Sequence, residues 1–218
     1  LCNGFIALGQ LKLSDKILKQ IKKNINENVD IELKGHLLKL EAHLLFNNEK
    51  WSKAASIYKK SYNLLNSIKS KYENEILFYL NLTLFFSNKF DSAPFDIHDK
   101  LFNNEFNILN DCLLLFLQDR IIDDNFIDKL NSIKKDQLRA YGFWILSKYY
   151  GKKGMINKSY QYETKAQETL KSSANELSDK FLRDGFLKNI LLHVKILSET
   201  SVQIDELVEI FDDIDDDL

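Results

Sequence analysis

One proline, Pro94, and seven glycines are very few for 218 residues. Sandwiches and barrels that turn every few residues need many more of both, so a turn-rich β architecture is excluded. The same scarcity leaves long uninterrupted helices easy to build. Cysteine is almost missing as well. Cys2 and Cys112 have no neighbouring thiol and no metal-type spacing, so they read as free thiols in a reducing compartment rather than as a disulfide frame. No apolar run approaches the ~20 residues that cross a bilayer. The opening Leu1-Cys-Asn-Gly-Phe lacks the basic head and apolar stretch of a signal peptide. A cytoplasmic protein with no membrane partner is therefore expected. The formal net charge of −2 supplies no field that would draw in nucleic acid.

Groups that would carry catalysis or hold a cofactor are sparse in the same way. The histidines are His36, His43, His98 and His193. His36 and His43 sit two helical turns apart, about 10 Å along an axis rising 1.5 Å per residue, too far for one metal ion. Glu32 lies one turn from His36, but two groups do not complete a zinc site. Cys112 precedes an apolar Leu113-Leu-Leu-Phe116 run, where burial raises a thiol's pKa and a core role is expected. Gly151-Lys-Lys-Gly154 lacks both the Gly-Lys-Ser/Thr ending and the preceding strand of a phosphate loop, and reads as a hairpin turn. No metal, no cofactor and no enzymatic activity are expected.

What the chain does contain is helical periodicity. Ile17, Leu18, Ile21 and Ile25 share one face; so do Trp51, Ala54, Ala55, Tyr58, Tyr62, Leu65 and Ile68. Lysines at 16, 19, 22 and 23, and at 59, 60, 69 and 71, fall opposite these stripes as a solvated face. Ser14-Asp15, Asp91-Ser92 and Ser178-Asp179 have the chemistry of helix starts, and Gly9 and Gly154 that of turns. Pro94 fits a first turn, so a helix is expected to begin near Asp91. The spacing predicts five hairpins. They pair Leu1–Leu8 with Ser14–Asn26, Glu32–Phe46 with Lys50–Ile68, and Tyr72–Phe86 with Ser92–Leu101. The last two pair Glu105–Leu117 with Asn125–Ile133, and Gln137–Gly151 with Ile156–Asn175. One closing helix, Asp179–Leu197, follows.

The small or apolar residue expected early in each second helix is Ile17, Ala54, Ala93, Phe126 and Ser159, at intervals of 37, 39, 33 and 33 residues. Intervals of that size mark stacked helix-turn-helix units. The last unit has Phe143, Leu146-Ser147, Tyr150, Gly154, Ile156, Ser159 and Ala166; an earlier one has Trp51, Ala54, Tyr58 and Ser61. On these residues the chain resembles the tetratricopeptide repeat (TPR) family over most of Leu1–Leu197. The resemblance implies an all-α, right-handed superhelix of about five hairpins plus a closing helix, occupying 1–203. Phe126 departs from the small-residue rule, so the fourth hairpin is expected to be splayed. The stretch Leu177-Ser-Asp-Lys-Phe-Leu-Arg-Asp-Gly-Phe-Leu-Lys-Asn189 resembles the end of the repeat arrays in multidomain bacterial signalling ATPases and regulators. Residues 204–218 carry eight acidic groups around Leu207, Val208, Ile210, Phe211 and Ile214 and no basic one. They read either as an acidic tail or as the start of a linker helix. The chain begins without methionine, inside an apparent helix, and reads as a piece of a longer protein.

The resemblance implies a concave groove lined by the first helix of each hairpin. It places Lys39, His43, Trp144 and Lys148 on that face. Tyr79 stands where a clamp for a partner's terminal carboxylate needs asparagine, so that mode is not expected. The functional expectation is a non-catalytic protein–protein interaction scaffold, the regulatory portion of a larger cytoplasmic signalling protein. Its partner would be a protein or peptide segment, another domain of the parent chain, or a second copy. The alternative is a peptide-sensing regulatory domain of a transcription regulator whose DNA-binding head lies elsewhere. A pocket joining His36 or His43 to carboxylates would instead point to an α-helical enzyme.

Overall fold

A computed structural model describes residues 1–25, 29–87 and 105–198. The described chain is all-helical, with eleven helices and no strand: α1 Cys2–Ala7, α2 Leu11–Asn24, α3 Ile31–Asn47, α4 Trp51–Ser67, α5 Glu73–Phe86, α6 Glu105–Leu117, α7 Asp124–Asn131, α8 Asp136–Lys152, α9 Ile156–Asn175, α10 Lys180–Lys188 and α11 Leu191–Ser198. No described helix is long and apolar enough to cross a membrane. The expected helix Ser92–Leu101, with Ala93, Pro94 and His98, lies outside the described residues, as does the acidic segment 204–218.

Neighbouring helices pack in chain order: α1 on α2, α3 on α4, α4 on α5, α5 on α6 and α8 on α9. One turn recurs between the two helices of a hairpin and once, at Lys69, between α4 and α5. Gly9, Glu49, Asp119 and Gly154 all have positive φ. In each turn the N–H of the next residue reaches back to a carbonyl of the first helix: Gln10 to Phe5, Lys50 to Leu45, Arg120 to Leu115 and Met155 to Tyr150, at 2.8–3.0 Å. This left-handed cap satisfies carbonyls that a helix end leaves without a partner, and it reverses the chain in a fixed geometry.

That geometry corrects two of the expected small positions. The residue five places beyond each left-handed turn faces the first helix, which gives Ser14 rather than Ile17 in α2. Ser14 is fully buried and exchanges hydrogen bonds with Cys2, whose backbone carbonyl accepts from the Ser14 hydroxyl at 3.4 Å. Ala54, with no exposed surface, holds the same place in α4. In α9 Ser159 donates to the Ser147 carbonyl at 2.8 Å. In α7 the equivalent residue is Asp124, not Phe126, and Asp124 is exposed. Only Leu130 of that eight-residue helix is buried. It seats on Gly142 of α8, where an added Cβ would meet Leu130 Cδ1 at 2.7 Å.

The predicted closing helix is two helices. Asn189 ends α10, its N–H on the Gly185 carbonyl, and its side-chain amide donates to the Gly9 carbonyl at 3.0 Å. The first N–H of α11, from Leu191, is taken by Asn47 Oδ1 of α3 at 2.9 Å. The periodicity runs on through Asn189-Ile190, but these two partners on the first hairpins break the helix and turn α11 back. α11 packs on α9 and on α3. Gly185 approaches Gly9 so closely that a Cβ on Gly9 would lie 1.9 Å from the Gly185 carbonyl oxygen. The last helices thus rest on the first. One large core joins Ala42 and Phe46 in α3 to Leu192 and Ile196 in α11, and a smaller one joins Cys2, Ile6, Leu18, Leu37, Leu40 and Leu44.

Candidate functional site: a cavity ringed by the first helices

The walls of a cavity of about 310 Å³ come from α1, α3, α5, α6 and α8, with Ile190 and Leu192 closing one side. None comes from the second helices α2, α4, α7 or α9. Three of the wall helices bring polar and aromatic side chains in pairs four residues apart: Lys39 with His43, Glu75 with Tyr79, and Gln137 with Tyr141. Four residues is one helical turn, so each pair points the same way.

Glu75 is the centre of the charge. Its Oε2 accepts from Lys39 Nζ at 2.9 Å, and its Oε1 lies 3.5 Å from His43 Nε2. Burial alone would raise this carboxyl, but hydrogen bonding with His43 and the charge of Lys39 override it and hold it at about 2. Lys39, buried in α3, also places its ammonium 5.0 Å over the Tyr72 ring. His43 is pushed below its ordinary value, chiefly by burial. A neutral ring fits its partners: Tyr58, fully buried, donates its hydroxyl to Nδ1 at 2.7 Å, leaving the Nε2 hydrogen for Glu75. Burial raises Tyr58 itself well above the ordinary phenol value.

The other wall is built around His193 of α11, which has no exposed surface. Its Nδ1 hydrogen goes to the Phe186 carbonyl at 2.6 Å, so Nε2 is left as the acceptor for Tyr141 at 2.8 Å and Gln137 at 3.0 Å. Gln137 also donates to the Tyr141 oxygen at 2.7 Å, and Tyr79 hydrogen-bonds to Tyr141. Burial drives His193 down to about 4 despite the Phe186 bond. A single chain of hydrogen bonds therefore ties α5 and α8 to α11.

The expected groove residues divide. His43 lines the cavity and Lys39 holds its carboxylate. Trp144 is 2% exposed and packs against Phe85 and Phe86, with ring centroids 6.2 and 5.9 Å away. Lys148 lies 5.8 Å over the Trp144 ring. Neither of these two lines the cavity. His36 stands 3.8 Å from Glu32 and edge-on to Tyr72. The sequence reading did not single out Glu75, Gln137, Tyr141 or His193. The repeated four-residue pairs were the available signal for the first three. His193 carried none, because its partners come from a helix more than fifty positions away.

His43 and Glu75 are the histidine–carboxylate combination that would open an enzymatic reading. Their chemistry is that of a locked pair. Glu75 at about 2 is a poor base near neutrality. Both His43 nitrogens face protein groups, and Tyr58 behind them is out of reach of any cavity occupant. Searches of family models, curated proteins and solved structures found no match to this chain.

Proposed function

We propose that this chain is a TPR-like helical-repeat module that binds a protein or peptide segment at the face formed by its first helices. The observation that carries the reading is that every wall of the cavity belongs to a first helix or to the returning α11 region. That is the division of labour expected when hairpins stack side by side and present one common inner surface. The recurrent left-handed turns at Gly9, Glu49, Asp119 and Gly154 support the same architecture. The role is non-catalytic: Glu75, held at about 2, is a poor base near neutrality, and both ring nitrogens of His43 face protein groups. The setting is the regulatory portion of a cytoplasmic signalling protein.

Size favours the peptide-sensing version of this role. A space of about 310 Å³ holds a few residues rather than a folded domain, at the small end of ligand cavities. A random peptide library displayed against the purified chain tests the proposal. Binders are expected to protect α3, α5 and α8 from hydrogen exchange. Binders that protect only the lysine-rich faces of α2 and α4, or a library that yields none, would sink it.

A further inference from the structure

The exposed Asn3 and Lys135 bring donors to the cavity lining, whereas the less exposed Glu75 and Gln137 have acceptors to spare. Glu75 spends Oε2 on Lys39, while Oε1 has only the long 3.5 Å approach of His43 Nε2. Glu75 has no further partner among the described residues. Gln137 uses its amide nitrogen on Tyr141 and His193, and no described residue donates to its Oε1. Asn47, by contrast, is spent at both ends, on the His43 carbonyl and on the Leu191 N–H. What Glu75 and Gln137 still offer is acceptors, and one of them is an ionised carboxylate. Around them stand the rings of Phe46, Tyr72, Tyr79, Phe106 and Tyr141. Aromatic faces attract cations and give an apolar body a surface to pack on.

We infer that the cavity binds a primary ammonium carried on a small apolar body, with the ammonium on Glu75 Oε1 and Gln137 Oε1 and the body among the aromatic rings. An ammonium brings three donors to these two acceptors. The Glu75 carboxylate bridges it and Lys39, one on each oxygen. The chemistry is shared by two sources, a free small amine and the amino terminus of a peptide whose first residue is apolar. The inference rests on the peptide-sensing reading above and narrows it to recognition of the free amine.

Calorimetric titration of the whole chain decides it, with phenethylamine and Phe-Ala-amide as probes, each beside its N-acetylated form. At least one unblocked probe is expected to bind, with affinity falling at least tenfold on acetylation and at least tenfold in Glu75→Gln. Binding by phenethylamine alone identifies a free amine as the ligand class, and binding by Phe-Ala-amide identifies a peptide terminus. If Glu75→Gln does not fold, the acetylated probes decide alone, because they leave the protein untouched. The inference is overturned if neither unblocked probe binds, if acetylation makes no difference, or if a folded Glu75→Gln protein binds as well as the parent. Library peptides that bind whether or not their amino terminus is blocked would overturn the inference and leave the peptide-binding proposal standing.

Discussion

Glu75 and Lys39 are a pair that neither partner can leave cheaply. Lys39→Met strips the ammonium from a carboxylate that faces little water and is expected to destabilise the fold by about 3 kcal/mol. Replacing both, as Lys39→Met with Glu75→Leu, is expected to recover most of that loss, because two apolar groups leave no uncompensated charge. Urea denaturation of the three proteins measures the difference. The histidines set the response to acid. His193 titrates at about 4 in the folded chain against 6.5 when free, so between those values the unfolded chain holds a proton that the folded one refuses. Stability is therefore complete above pH 6.5 and falls as the pH drops toward 4, by about 3 kcal/mol from this group. His43 acts in the same direction. Glu75 acts lower: its carboxyl is depressed from 4.5 to about 2, so its contribution is present above pH 4.5 and lost as the pH falls toward 2. His193→Gln keeps an acceptor for Tyr141 but does not titrate. Its stability curve is expected to be flatter between pH 6.5 and 4, with the loss below pH 4 unchanged. An identical slope in the upper window would refute the assignment to His193.

At the scale of the helical elements, the left-handed turns separate backbone strain from steric fit. Gly9 and Gly154 have nearly the same φ, 69° and 71°. A Cβ on Gly154 meets nothing within 4 Å, whereas one on Gly9 runs into the Gly185 carbonyl. Gly154→Ala is expected to cost about 1 kcal/mol, the price of an alanine in that conformation. Gly9→Ala is expected to cost about 3 kcal/mol or more, because α10 must move away. Glu49 occupies the same turn with a side chain, so Glu49→Gly is expected to stabilise by about 0.5–1 kcal/mol. Thermal melts rank the three, and equal losses for the two alanine variants would deny the Gly9–Gly185 approach. Asp119→Gly is expected to gain less than Glu49→Gly, because it also gives up the 2.9 Å ion pair with Lys153. Among the described hairpins the α6–α7 pair is the loosest, for an evident reason. Asp124 stands where the other described hairpins place serine or alanine, and α7 is held through Leu130 on Gly142 instead.

For the molecule as a whole, the return of α10 and α11 changes how the hairpins depend on one another. In an open stack each unit leans only on its neighbours, and the ends fray first. Here Asn189 holds Gly9 and Asn47 holds the start of α11, so the first hairpin cannot open without disturbing the last. A single cooperative unfolding transition is expected, with hydrogen exchange in α11 as slow as in α3. Asn47→Ala removes the cap on α11 and is expected to speed exchange in α11 by about fivefold, the equivalent of a ~1 kcal/mol cap. If α1 and α2 melt separately from the rest in the parent protein, the closure carries no energetic weight. The cavity depends on the same closure, since α1 and the residues beside α11 complete its walls.

Local periodicity and turn chemistry lie within a few residues of one another, and they determined the all-helical character of the chain, the limits of α6 and α9, and the pairing of α3 with α4 and α8 with α9. The family resemblance, not the periodicity, brought His43 and Lys39 to notice. Periodicity and turn chemistry misplaced the tight position in α7 because its left-handed turn falls on Asp119, which does not announce it as glycine does, and in α2 because Ser14-Asp15 reads as a helix start although the helix begins at Leu11. Tertiary structure alone decided the rest. The split of α10 from α11 depends on Asn47 and Gly9, far upstream. Glu75 becomes a buried, ionised centre only when α3 delivers Lys39 and His43 to it. His193 acquires its role only when α8 supplies Tyr141 and Gln137. A helix face is written in spacings of three and four residues, whereas a cavity depends on which distant faces meet.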